Sequence, residues 1–142
     1  MADRPVVAPV ATITLSGAQQ VLTAALDHAT ALGVPVCLAV VDRAGHLLAF
    51  ARMDGAPLLS AGIAQDKAYT VAAFGLPTHA WWDLIKDEPP LREGIVKTDR
   101  LIVFGGGVPL LADGVLVGAI GVSGGTADQD RDIAEAGARA LG

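Results

Sequence analysis

The sequence predicts an α/β domain of the α+β kind, an antiparallel sheet with helices packed against it. Three observations carry that prediction. Residues 36–53 and 108–122 each join two β-rich apolar runs through turn chemistry, Asp42-Arg43-Ala44-Gly45 in one and Ala112-Asp113-Gly114 in the other. Helical periodicities stand before, between and after these two hairpins, rather than between successive strands as a parallel nucleotide-binding fold requires. The chain has 142 residues, 52% of them hydrophobic, with no repeat and no linker, which suits one core.

Taken in order, residues 1–11 read as an irregular arm, since Pro5 and Pro9 oppose helix while Val6 and Val7 offer a short edge strand. A single domain over residues 12–142 follows. Thr14 or Ser16 opens a helix in which Val21, Leu22, Ala25, Ala29 and Leu32 recur at helical steps, and Gly33 stops it. The first hairpin comes next, then a loop at Asp54-Gly55-Ala56-Pro57 and a second long helix over residues 59–74 that Gly75 ends. Thr78 caps a short third helix with Trp81, Trp82 and Leu84; Pro89 and Pro90 stop it and begin an irregular crossing. Residues 101–104 read as a strand, Gly105-Gly106-Gly107 as a flexible break, 108–111 and 115–122 as two further strands, and 127–141 as the last helix.

Composition narrows the function. Net charge is −5 and aromatics are 4%, with no Lys/Arg cluster to track phosphates, so nucleic acid is excluded as a partner. Charged residues interrupt every apolar run short of the ~18 a membrane span needs, so no membrane partner is expected. The start lacks the pattern of an export signal, which makes a cytoplasmic location the default expectation. Cys37 stands alone in VCLAVV and reads as an inert buried thiol. The high apolar and low charged content (52% and 18%) favours surface hidden between subunits, hence a homo-oligomer.

Several polar residues resist a purely structural reading. Lys67 stands in the middle of the stripe Leu59, Ile63, Val71 and Phe74; there it must snorkel, pair with an acid, or point at a ligand. Its neighbour Asp66 faces elsewhere on a helix. Arg52, with Asp54 beyond it, ends a strand where an anion contact or an ordinary ion pair is expected. FGGGVPL at 104–110 brings backbone N–H groups within reach of an anion, or simply bends the chain; it is no nucleotide fingerprint. SGGTADQD at 123–130 opens the last helix, with capping its simpler role. His28, His46 and His79 show no metal-pair spacing, though any one can serve as an axial haem ligand after folding; His46, beside a turn, reads as exposed.

The blocks AVVDRAGHLLAFARMDGA at 39–56, IAQDKAYTVAAFGLPT at 63–78 and FGGGVPLLADGVLVGAIGVSGGTADQDRDIAEAG at 104–137 resemble, in this order, the GlcG/HbpS-type haem-degrading-domain family, also found as the C-terminal part of PduO-type proteins. The resemblance implies a profilin-like sheet-and-helix domain and assembly into oligomers. It carries Arg52, Asp54, Lys67, Gly106, Gly107, Gly125 and Asp130 forward as ligand-binding or fold-defining positions, with Arg52 and Lys67 facing haem propionates if haem is the ligand. Metal ligands, including those of a bound haem, stay open at this point. Two functions stand side by side: a binder of haem, another tetrapyrrole or an anionic metabolite, and a cofactor-free isomerase, lyase or decarboxylase. In the second, Arg52 orients a substrate carboxylate, Lys67 acts as proton donor or Schiff-base amine, and Gly106 and Gly107 N–H groups stabilise an enolate-like oxygen.

Overall fold

A computed structural model describes residues 4–142; residues 1–3 of the expected arm lie outside it. The elements are α1 (Leu15–Leu32), β1 (Cys37–Asp42), β2 (Leu47–Arg52), α2 (Ser60–Phe74), α3 (Trp81–Ile85), α4 (Pro89–Ile95), β3 (Gly107–Ala112), β4 (Val115–Ser123) and α5 (Ala127–Ala138). Single 3-10 turns precede α3 and follow α5. The four strands form one antiparallel sheet in the order β2-β1-β4-β3, so the two hairpins meet through β1 and β4.

Strand alternation decides which helix covers which face. Val36, Leu38 and Val40 turn to the side of α1 and α5, where they join Val21, Ala25, Ile120, Val122 and Ile133 in the main core. Cys37, Ala39 and Val41 turn the other way, toward Ala64, Ala68 and Val71 of α2. Small residues on that face let α2 sit very near the sheet. A Cβ on Gly121 would overlap the Ala64 carbonyl and lie 2.6 Å from the Ala68 nitrogen. The helix therefore runs backbone against strand at this point, which fixes the depth at which its side chains meet the sheet.

Local chemistry accounts for the ends. Thr14 accepts from the Gly17 N–H at the start of α1, and Gly33 closes it in the left-handed region. Thr126 and Gln129 make a reciprocal capping box at α5, the simpler of the two roles expected for SGGTADQD.

Two expected elements differ. Pro89 and Pro90 open α4 rather than beginning an irregular crossing, because a proline's fixed φ and missing N–H suit the first helical turn. Residues 101–104 are no strand: the Ile102 N–H donates to the Thr70 hydroxyl of α2 at 3.0 Å instead of entering a ladder. Just ahead of them Arg100 adopts φ +64°, its carbonyl accepting from Thr70, its guanidinium 2.9 Å from Asp66 and over the Tyr69 ring. The first of the three strand runs expected after the helices is thus replaced by a segment laced to α2.

Candidate functional site

At the β4–α5 junction the structure gathers five of the seven expected positions. Lys67, on the inner face of α2, is fully buried. Its Nζ donates to the Val122 carbonyl at 2.8 Å and to Asp130 Oδ2 at 3.1 Å, and lies 5.0 Å from the centre of the Phe104 ring. The other oxygen of Asp130 accepts from the Gly125 N–H at 2.9 Å. Burial pulls the Lys67 amine below the ordinary lysine value, and the charge and hydrogen bond of Asp130 oppose that shift.

The glycines are spacers around this pair. Gly106 has φ +128°, which disfavours any side chain, and a Cβ there would overlap the Val122 carbonyl and lie 2.6 Å from Nζ. Its carbonyl accepts from the Val122 N–H, so Val122 is held from both sides. The Gly107 N–H donates to the buried Thr78 hydroxyl at 2.9 Å, which occupies the donor that the sequence offered to an anion. Lys67 lines none of the three surface grooves described below.

Arg52 and Asp54 are elsewhere, at the end of edge strand β2. Arg52 pairs in register with Cys37 and donates to the Ala56 carbonyl at 2.7 Å, closing its own loop. Both residues border a groove of about 380 Å³ with Leu26, Ala51 and Met53. Cys37 is buried, and burial raises its thiol above the usual value while the Arg52 charge opposes the rise.

A third location was not singled out from the sequence. A groove of about 460 Å³ runs along edge strand β3, lined by Val108, Pro109 and Leu111, by Pro77 and His79, and by Glu135, Ala138 and Arg139 at the end of α5. Nδ1 of His79 is buried without a hydrogen-bond partner among the described residues. Burial lowers the pKa of His79, the nearby Arg131 charge lowers it further, and Glu135 opposes both, so the ring is neutral near pH 7. The sequence offers His79 only as one of three histidines able to ligate haem, and nothing local marks Arg139; only folding brings the 78–80 turn beside the end of α5. The other histidines have partners: His28 meets Asp132 at 2.9 Å, and the exposed His46 meets Asp42 at 3.2 Å. Another groove, at Val10, Thr12, Arg43 and His46, lies beside the first hairpin turn. Among the described residues no group of three His, Cys, Asp or Glu side chains is arranged to hold a metal ion, and no helix is long and apolar enough to cross a membrane.

Comparison with known proteins gives this geometry its relatives. The family profile for the haem-degrading HbpS-like proteins matches residues 13–139. An uncharacterised 15.0 kDa protein of the dhaT-dhaS intergenic region of Citrobacter freundii is 41% identical, over 89% of each chain. The crystal structure of Klebsiella pneumoniae ORFY superposes with a TM-score of 0.90 at 34% identity, covering 99% of this chain and 97% of that one. A crystal structure of a PduOC:heme complex superposes at 0.81 with 34% identity, over 91% and 94% of the two chains. With a profile that spans the sheet and every long helix, and relatives that share the fold from end to end, the chain belongs to the HbpS-like family.

Proposed function

We propose that this protein is a small-molecule-binding domain whose ligand is a tetrapyrrole such as haem, and that it works as a homo-oligomer. The observation that supports the ligand most directly is the PduOC relative, 34% identical over 91% of this chain, whose structure is that of a heme complex. The chain's own surface fits such a group. The β3 groove joins an apolar floor to an arginine and a neutral imidazole, and its size is within the roughly 300–1,000 Å³ of small-molecule sites. The groove beside Arg52 offers a second cation at an apolar rim. A bound haem would bring an iron centre whose reactivity depends on its axial ligand and the polarity around it.

The cofactor-free enzyme reading finds less support. A Schiff-base or proton-donating lysine needs access to its substrate, whereas the fully buried Lys67 amine faces the Asp130 carboxylate, the Val122 carbonyl and the ring of the exposed Phe104. Arg52 borders a groove that Lys67 does not line, so the two cations do not share one substrate site.

Oligomerisation is supported by apolar side chains left in solvent. Val6, Val7 and Val10 of the arm, Leu58 and Leu59 ahead of α2, and Phe74 and Trp82 are all exposed in the single chain. Titrating the purified protein with haemin while following the Soret region tests the ligand reading. A saturable, red-shifted band at one ligand per chain supports it; a spectrum identical to free haemin at every ratio rejects it.

A further inference from the structure

We infer that the β3 groove is the tetrapyrrole site, with His79 giving a ring nitrogen to the central metal and Arg139 receiving a carboxylate. The inference rests on the tetrapyrrole reading and adds the place and the residues. His79 stands on a turn that the fold holds from two directions. The Ala80 N–H donates to the Pro77 carbonyl at 3.0 Å, and the Thr78 hydroxyl accepts from Gly107, the first residue of β3. The imidazole is thereby tied to the strand that floors the groove. A ligating histidine must arrive preorganised and neutral, and its competing partners must be few. Among the described residues His79 makes no hydrogen bond or ion pair, unlike His28 and His46, which both face carboxylates.

The rest of the groove matches the other parts of the ligand. Pro77, Val108, Pro109 and Leu111 offer the apolar contact a macrocycle needs, and Pro109 hinders pairing of another strand at this edge. Of the charges at the α5 end, Glu135 is held by Arg131 at 2.8 Å. Arg139 has no ion pair among the described residues and borders the groove, so its guanidinium is available for a bidentate carboxylate contact.

The test compares haemin titrations of the wild-type chain with H79G, H79A, H28A and R139Q, circular dichroism serving to check that each variant folds. His79 is only partly buried in a surface turn, so its loss leaves the core intact. The expected result is a shifted Soret band in wild type and H28A, and a binding constant weakened about tenfold or more with an altered band in H79A. Added imidazole restores the wild-type band to H79G, which a merely structural role for His79 would not allow. R139Q keeps the band position and loses affinity. Wild-type binding with an unchanged band and affinity in folded H79A overturns this inference and leaves the tetrapyrrole reading standing. Absence of a saturable band in wild type overturns both.

Discussion

Lys67 illustrates how a single residue is both legible and incomplete in sequence. A lysine at helical spacing from Ile63 and Val71 needs a partner, and its neighbour Asp66 is the wrong one; Asp66 instead meets Arg100. The actual partner, Asp130, is 63 residues away across the sheet, and no local pattern links the two. The stripe itself is only partly the buried face. Leu59 and Phe74 are exposed, while Ser60, Ala64, Lys67, Ala68 and Val71 go inward, with the small Ala64 and Ala68 at the close approach to Gly121. Lys67→Met leaves the Asp130 charge buried and unpaired, and is expected to destabilise the fold by about 3–5 kcal/mol in urea unfolding. Adding Asp130→Asn removes that charge while keeping an acceptor for Gly125, so the double variant is expected to recover a large part of the loss.

A second residue-scale prediction concerns pH. Slight burial raises the pKa of Asp42, but N–H donation from His46 and Ala44 and the His46 side chain outweigh it and hold the carboxyl below its usual value. A carboxylate with a lowered folded-state pKa stabilises fully above its unfolded pKa, and that contribution fades as pH falls through the folded one. Asp42→Asn is therefore expected to flatten the acid limb of the stability–pH curve in this range, measured by thermal unfolding between neutral and acidic buffers.

Among the elements, the legible ones carry their own start, stop and period. Thr14 and Gly33 bracket α1, and the two hairpins announce themselves through turn residues between alternating runs. What escaped is set by tertiary contact. Residues 101–104 have strand composition, yet Ile102 is claimed by Thr70 and Arg100 turns the chain into the left-handed region. The proline pair of α4 signals a stop for one helix and a start for another, and the sequence does not distinguish them. The α2–sheet contact gives the sharpest element-level test. Gly121→Ala drives a methyl into the Ala64 carbonyl, so α2 must lift, with an expected loss of about 1–3 kcal/mol by urea denaturation. Thr126→Ala removes only a cap and is expected to cost about 1 kcal/mol.

For the molecule as a whole, the proposed function makes the sheet and the Lys67–Asp130 junction a scaffold and assigns the ligand chemistry to the grooves at its edges. The family blocks lead to the scaffold residues, five of which meet at one junction. The β3 groove was not legible because its lining comes from a turn, an edge strand and a helix end, none unusual alone. The exposed apolar residues of the arm and α2 predict a native mass that is a multiple of the single chain, read by native mass spectrometry. The central claim, tetrapyrrole binding, is tested most directly by haemin titration of the wild-type protein. A saturable, red-shifted Soret band with one haemin per chain is the predicted result; a spectrum that tracks free haemin throughout contradicts it.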